Sequence, residues 1–405
     1  MMPLILPQNP TLLTLASRQI WPQVLAVLHL RPARVVLLHS ENRAESKDPA
    51  QRLKRFFDAS GLVPKGGTKM EEIPYHDFEG IVHRLETLEV DSQRSLLHFT
   101  GGNKLMATAA FQWASRRHIP SFYLERGSRL IWFFPNHDET STREESLDGH
   151  VADALDPLDL LRCQIEASEL ERKGQLLGLS ARGAELSLEE ISARCAQGED
   201  LRGLLSIEDR TEGDRFPKEG DRLEYNTAVV LLKLGVHRIR RSLRLKVKSA
   251  MGVSTALPHE EIDLLFNFGG RLWLVDCKDK RPTEELVDAL EDQFQRNRVS
   301  MERFAGLLAR IRDELSIGQL KALKLDLLSI QDAGGLLGRT ICVRRSALPA
   351  EVVEYARRKG IDLVRSSDLA DGLRALLGVN MPASSRQLSR LQEKFAQQSH
   401  PHPDG

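Results

Sequence analysis

The chain has 405 residues, 41% of them hydrophobic and 28% charged, which excludes a disordered chain and gives length for more than one core. Lysine plus arginine and aspartate plus glutamate number 57 each, so no global charge excess announces a nucleic-acid or membrane partner. Four scattered cysteines with no CxxC pair argue against a zinc site or a disulfide framework and fit a reducing cytoplasm. No apolar run approaches bilayer length, and the start, MMPLILPQNP, lacks a basic region leading into an apolar one. A cytoplasmic protein without a membrane partner is expected.

The first 135 residues alternate strand and helix patterns. Leu12 to Ser17 and Arg34 to Ser40 are apolar runs of strand length, separated by a helical stretch from Pro22 to Leu30. A basic amphipathic helix from Pro49 to Ala59 stops at Gly61, and Asp77 to Leu88 is a further helix. Leu96 to Phe99 is a strand running into Thr100-Gly101-Gly102-Asn103-Lys104, after which Met106, Ala110 and Trp113 share a helical face. Ser121 to Leu124 and Arg129 to Phe134 form a hairpin. Such alternation implies a Rossmann-like sheet with helices on its faces.

Residues 136 to 157 are polar and acidic and are expected to be a linker. Residues 158 to 205 carry a helical pattern, with Ser187-Leu188-Glu189-Glu190 matching a capping box. A second α/β unit opens with a helix from Asp221 to Leu234 and a strand from Val236 to Lys248. On that strand Ile239, Leu243, Leu245 and Val247 share one parity, and Arg240, Arg244, Lys246 and Lys248 the other. Strands Glu261 to Phe268 and Arg271 to Cys277 flank a turn at Gly269-Gly270. A helical section from Thr283 to Leu315, a strand from Arg339 to Val343, a helix from Pro349 to Lys359 and a last strand from Ile361 to Arg365 follow. The tail from Ala383 is polar, and its His400-Pro401-His402 is too short to be a metal site.

The chemistry concentrates on Asp263 and on Asp276-Cys277-Lys278. The two aspartates lie thirteen residues apart across the glycine turn, so both carboxylates are expected to converge at one rim. With the backbone carbonyl of Cys277 they suit an octahedral Mn2+ or Mg2+. Lys278 shares the parity of Asp276, which puts an ammonium beside a metal-bound water, as phosphodiester hydrolysis needs. Glu224 on the preceding helix is the natural fourth member. The basic strand through Arg240, Arg244, Lys246 and Lys248 reads either as a solvated sheet face or as a phosphate track.

The order of a helix with Glu224, a basic strand, Asp263, a glycine turn and Asp276-x-Lys278 resembles the PD-(D/E)xK restriction-endonuclease superfamily over roughly residues 215 to 370. Asp276 stands where that family more often has glutamate, one methylene longer. Upstream, Thr100-Gly101-Gly102-Asn103-Lys104-Leu105-Met106 resembles the TGG(T/N)K-x-M signature of CARF domains, the Rossmann-like sensors of cyclic oligoadenylate in type III CRISPR immunity. Asn103 takes the place of a frequent threonine. Ser17, Gln19 and Ser40, after the first two strands, sit where that family builds its ligand pocket. The resemblance implies that Ser17, Gln19, Ser40, Thr100, Gly101, Gly102, Asn103 and Lys104 bind a cyclic oligoadenylate, with cyclic tetra-adenylate the expected ring.

Together these readings divide the chain into a CARF-like sensor at 1–135, a linker and helical region at 136–214, a PD-(D/E)xK nuclease domain at 215–382 and a polar tail at 383–405. The resemblance implies a homodimer sharing one ring-shaped activator, which switches on cleavage of RNA or DNA with little sequence preference. Two alternatives stay open. One is a constitutive restriction- or repair-type nuclease, and the other a CARF-type regulator that binds nucleic acid without cutting it.

Overall fold

A computed structural model describes residues 6–125, 129–135, 140–165, 170–208, 221–245, 260–278, 338–345, 348 and 350–379. Two mixed sheets organise it. The first takes strands β1 (Thr11–Leu15), β2 (Arg34–His39), β3 (Thr68–Glu72), β4 (Ser95–His98), β5 (Ser121–Glu125), β6 (Arg129–Pro135) and β7 (Thr140–Ser146). Their spatial order is β3-β2-β1-β4-β5-β6-β7, parallel as far as β5 and antiparallel beyond it. The strand order therefore reverses between β1 and β4.

Four helices cover this sheet: α1 (Trp21–Leu30), α2 (Asp48–Ser60), α3 (Phe78–Glu86) and α4 (Lys104–Arg116). Strand alternation decides which pair each residue meets. Leu12 and Leu96 join Val24, Leu53 and Phe57 of α1 and α2, whereas Leu13 and Leu97 join Ile81, Leu85, Met106 and Trp113 of α3 and α4. Helix ends follow local chemistry. Gly61 stops α2 in the left-handed region at φ 69°, and the Asp77 side chain caps α3.

The described residues of the stretch expected to be a linker, from 140 on, are structured. Thr140–Ser146 adds an antiparallel edge strand, and Asp156 caps a helix α5 (Pro157–Gln164). The section expected to be helical, 158 to 205, also contributes strands: β8 (Leu170–Arg172), β9 (Gln175–Leu179) and the start of β10 (Leu205–Ile207). Between β9 and β10 lie α6 (Ala181–Glu185) and α7 (Leu188–Ala196). The expected capping box is present on α7, with Ser187 and Glu190 each satisfying the other's backbone N–H. Apolar runs this short do not distinguish strand from helix by period, and here sheet pairing decides.

The second sheet continues with β11 (Ile239–Leu245), β12 (Glu260–Phe268), β13 (Arg271–Lys278), β14 (Gly338–Arg344) and β15 (Ile361–Arg365), preceded by α8 (Arg222–Lys233). Its order is β10-β9-β11-β12-β13-β14-β15, with β8 also pairing to β11. β11, β12 and β13 are antiparallel, and β13, β14 and β15 are parallel. Helices Ala350–Lys359 and Leu369–Leu377 complete it. The helical section expected at 283–315, the tail from Ala383, and Lys246 and Lys248 lie outside the described residues.

α8 packs on one face of this sheet, against Ile239, Leu264, Phe266 and Val275. α5 packs on the other, against Leu243, Leu245, Leu265 and Leu274, in a core continuous with that of α1 and α2. Polar contacts fix this junction. Arg52 Nε donates to Cys163 O at 2.8 Å, Asn267 Nδ2 to Leu155 O at 2.9 Å, and the Gly269 N–H to Asp153 Oδ1 at 2.9 Å. A Cβ on Gly149 would sit 2.6 Å from Gly269 O, so the two backbones meet where a side chain has no room.

Candidate functional site

The first candidate site is the crevice at the carboxyl ends of β1 and β4, where an open α/β sheet offers a ligand its natural seat. After β1 the chain passes through Ser17, Arg18 and Gln19 into α1. After β4 it passes through Phe99-Thr100-Gly101-Gly102 into α4, whose first residue, Lys104, is exposed. Arg18 and Gln19 are exposed as well.

Gly101 is held against β1. A Cβ there would lie 2.1 Å from Leu15 O and 2.5 Å from Gln23 Nε2, and Gln23 Nε2 itself donates to Leu15 O at 2.7 Å. Gly102 takes φ 74°, the left-handed region that favours glycine. The two glycines thus bring the loop close to β1 and turn it into the N-terminus of α4, where unpaired backbone N–H groups favour an anion.

Some of the expected binding residues also make contacts within the scaffold. The Asn103 carbonyl caps α4 by accepting from Met106 N at 2.8 Å, while its amide donates to Tyr75 O at 2.8 Å. Thr100 Oγ1 accepts from Leu124 N at 2.7 Å and bonds His98 Nε2 at 2.8 Å. Ser40 is buried, and its N–H donates to Ser46 Oγ, which donates in turn to Ala16 O. Ser17, Gln19 and Lys104 keep to the rim.

Sequence reasoning passed over His98. Its Nδ1 bonds Thr14 Oγ1 at 2.9 Å, so Thr14, His98, Thr100 and the Leu124 N–H form a chain linking β1, β4 and β5 beneath the loop. Burial pushes the imidazole down to about 3 and keeps it neutral. A histidine inside an apolar strand gives no sign in sequence of the partners that satisfy it.

The second candidate site lies at the far end of the β12–β13 hairpin. Asp263 is buried, and its Oδ2 accepts from Cys277 N at 2.6 Å. Asp276 is 1% exposed, and Arg344 Nη2 on β14 donates to its Oδ2 at 3.1 Å. Cys277 points to α8, its Sγ 3.8 Å from Thr227 Oγ1. Burial, with the charges of Asp263, Glu224 and Asp276, pushes its thiol well above the usual range.

Glu224 belongs to a different cluster. Arg241 Nε donates to Glu224 Oε2 at 2.8 Å, its Nη2 lies 2.9 Å from Asp221 Oδ2, and its guanidinium stacks 4.2 Å over Tyr225. Burial pushes the Glu224 carboxyl up to about 7, against the pull of Arg241 and with Asp221 adding to the rise. Asp276 alternates with Cys277 along β13, so it faces away from α8. It lies beside Cys342, which packs on the helix Ala350–Lys359.

An octahedral cation needs several oxygen donors around one point. Among the described residues no three His, Cys, Asp or Glu side chains come together in that way. Asp276 already holds a guanidinium, and Glu224 holds another on the opposite face. Among the described residues Asp263, Asp276 and Glu224 therefore do not stand as one ready-made donor set.

The strand parity expected around Arg240 is also corrected. Ser242, at φ 55°, breaks the alternation of β11 opposite Asp263, between the pairs Arg241↔Leu264 and Leu243↔Ile262. Ile239 and Arg241 therefore face α8, while Arg240, Leu243 and Leu245 face α5. Arg240 is 6% exposed and forms a two-pronged ion pair with Asp156, so it does not lie on an open phosphate track. Arg244 is exposed, 3.6 Å from Glu261.

No family model and no curated protein matches this chain. Solved structures do. Can2 from Sulfobacillus thermosulfidooxidans, in complex with cyclic tetra-adenylate, aligns with a TM-score of 0.53 and 16% identity over 91% of this chain and 97% of its own. Protein VC1899 from Vibrio cholerae aligns with a TM-score of 0.56 and 14% identity over the same shares. At these identities the likeness is one of fold, and its coverage takes in both sheets.

Proposed function

We propose that this protein is a CARF-type sensor of cyclic oligoadenylate, with cyclic tetra-adenylate its activator, acting in type III CRISPR defence as a homodimer. One observation carries the reading. The Thr100–Lys104 loop lies at the β1/β4 switch point of a fold shared along nearly the whole chain with a protein solved in complex with cyclic tetra-adenylate. The loop supplies backbone N–H groups and Lys104, and the opposite lip supplies Ser17, Arg18 and Gln19. These donors suit phosphates and ribose hydroxyls.

The finer part of the proposal is nuclease activity on RNA or DNA, dependent on Mn2+ or Mg2+. The order Asp263, Asp276, Cys277, Lys278 at the ends of paired strands supports it, and a bound metal would supply an activated water there. Glu224, paired with Arg241 on the α8 face, is better read as part of the scaffold.

The engagement of Asp276 by Arg344 favours a second reading, a regulator that binds its ligand without cutting. The test is a titration of the purified chain with cyclic tetra-adenylate, with the linear tetramer as control. Labelled RNA and DNA are then incubated with the chain and Mn2+ or Mg2+, with and without the cyclic compound. Saturable preference for the ring supports the sensor, and ring-dependent cleavage supports the nuclease. No binding of the ring sinks the sensor reading, and ring-independent cleavage identifies a constitutive nuclease. Binding without cleavage leaves the regulator.

A further inference from the structure

The first sheet holds a second cavity at the end opposite the β1/β4 crevice. A space of about 330 Å3 opens between the connection from α3 to β4 and the amino ends of β1, β2, β3 and β4. Strand register sets its floor. Ser95 of β4 and Arg34 of β2 flank Thr11 of β1 in one cross-strand line, and Lys69 of β3 pairs with Val36, two residues after Arg34. Thr11 and Ser95 share the α3 face with Leu13 and Leu97, two residues further along their strands. Thr11 and Leu15 stand at opposite ends of β1, roughly 13 Å apart, so the cavity and the crevice are separate places.

Arg84 braces the roof of this space. Its Nε donates to Glu72 O at 3.2 Å, its Nη1 to Thr87 Oγ1 at 3.0 Å and its Nη2 to Glu71 Oε2 at 2.9 Å. Glu71 is thereby paired, and Asp91 accepts from Gln93 N at 3.0 Å. Among the charges lining the space, that leaves Arg34 and Lys69 facing Glu89, all three exposed and without an ion pair among the described residues. Val36, Leu88 and Val90, each half-buried, supply an apolar wall. At the inner end Ser95 is 1% exposed, and its Oγ has no hydrogen-bond partner among the described residues. A buried hydroxyl left in that state calls for a polar atom beside it.

We propose that this cavity binds a small phosphate monoester, with its phosphate on Arg34 and Lys69 and its apolar body against Val36, Leu88 and Val90. The lining selects that class. Two cations set diagonally on neighbouring strands, roughly 7–8 Å apart at the backbone, are within reach of one dianion, and a guanidinium fork matches phosphate oxygens. The Thr11 and Ser95 hydroxyls offer hydrogen bonds at the floor, and the aliphatic wall rewards an ester over free phosphate. The volume is that of a small-molecule site. This proposal stands whatever the β1/β4 crevice binds.

The test is isothermal titration calorimetry of the full chain with phenyl phosphate and adenosine 5′-monophosphate, against inorganic phosphate, phenol and adenosine. Each ester is titrated into wild type, Arg34→Gln and Lys69→Gln, and into wild type with cyclic tetra-adenylate in excess. Saturable binding of at least one ester is expected, about tenfold weaker in each variant, the scale of one charge-assisted hydrogen bond. Both positions are exposed, so the variants should melt with wild type. Inorganic phosphate and the unphosphorylated parents should bind at least tenfold more weakly than the ester, and the cyclic compound should not displace it. Failure of both esters to bind, wild-type affinity in either variant, or equal affinity for a parent or free phosphate would overturn the proposal. Displacement by the cyclic compound would place the ester in the β1/β4 crevice and overturn it too.

Discussion

The two candidate sites sit at the ends of strands in two mixed sheets, yet their polar groups are spent differently. At the β1/β4 crevice Thr14, His98, Thr100 and the Leu124 N–H form a satisfied chain within the scaffold, Gln23 Oε1 and Ser40 Oγ are buried without a hydrogen-bond partner among the described residues, and Ser17, Gln19 and Lys104 keep to the rim. At the β12–β13 end the two carboxylates expected to do chemistry are themselves buried and partnered, Asp263 by the Cys277 N–H and Asp276 by Arg344. The crevice thus keeps exposed donors at its rim over a floor that the Thr14–His98–Thr100 chain ties together. A rim whose carboxylates hold internal partners has to rearrange before it meets a cation. The contrast is what the proposed function would require, one region to bind the ring and the other to change on binding.

The largest expected effect tests the closed site. Asp276→Ala leaves the Arg344 guanidinium buried without its carboxylate, which should cost about 3–5 kcal/mol of stability. The double change Asp276→Ala/Arg344→Met should recover most of that loss, because both charges go. Denaturant midpoints of the two variants decide it, and equal midpoints would mean that the ion pair carries no such weight. A cleavage assay on the double variant should show no product.

Next comes the loop at the open site. Gly101→Ala drives a methyl group into Leu15 O and the Gln23 amide, with an expected cost of about 1–3 kcal/mol and loss of ring binding. A variant with unchanged melting temperature and unchanged affinity would break the claim that close approach to β1 shapes the site.

His98 provides a pH test of the same scaffold. Its folded value lies far below the ordinary histidine value of 6.5, so the unfolded chain takes up a proton that the folded chain refuses. The stabilisation is therefore complete above about pH 6.5 and declines as pH falls towards 3, at up to about 1.4 kcal/mol per pH unit. Melting curves from pH 7.5 to 4.5 should show this slope in wild type and a shallower one in His98→Gln. Parallel slopes would remove His98 from the account.

The smallest effect is on sensing alone. Lys104→Ala takes away one exposed donor and should weaken cyclic tetra-adenylate binding by about tenfold, the scale of one charge-assisted hydrogen bond. Its melting temperature should stay within a degree of wild type, and any cleavage at saturating ring should stay at the wild-type rate. Superimposable titrations of variant and wild type would place the ligand elsewhere.

Much of this was legible before any coordinates. Period-2 and period-3.6 patterns placed β1, β2, β4, α2, α4 and the β12–β13 hairpin, because each must bury one face and that need is written locally. The glycine pair after β4 was legible for the same reason, since close backbone approach and a left-handed φ both demand glycine. β3, Thr68–Glu72, escaped notice, having little apolar content and its pairing with β2 as its support. β7 was read as linker on its acidic composition, although it is a strand paired with β6 at the end of the sheet among the described residues.

What the sequence by itself determined is the α/β alternation, the hairpin carrying Asp263 and Asp276, and the loop from Thr100 to Lys104. Each follows from residues close together in the chain. Only the tertiary structure decided the partners of the charged residues. Nothing near Arg240 in sequence points to Asp156, 84 residues away, and nothing near Asp276 points to Arg344, 68 residues away. The left-handed turn at Ser242 likewise reassigns Leu243, Arg244 and Leu245 to the other face of the sheet, and a serine does not announce such a turn. Periodicity reports which side chains are buried, whereas the electrostatics of a site depend on which distant strands the fold brings side by side.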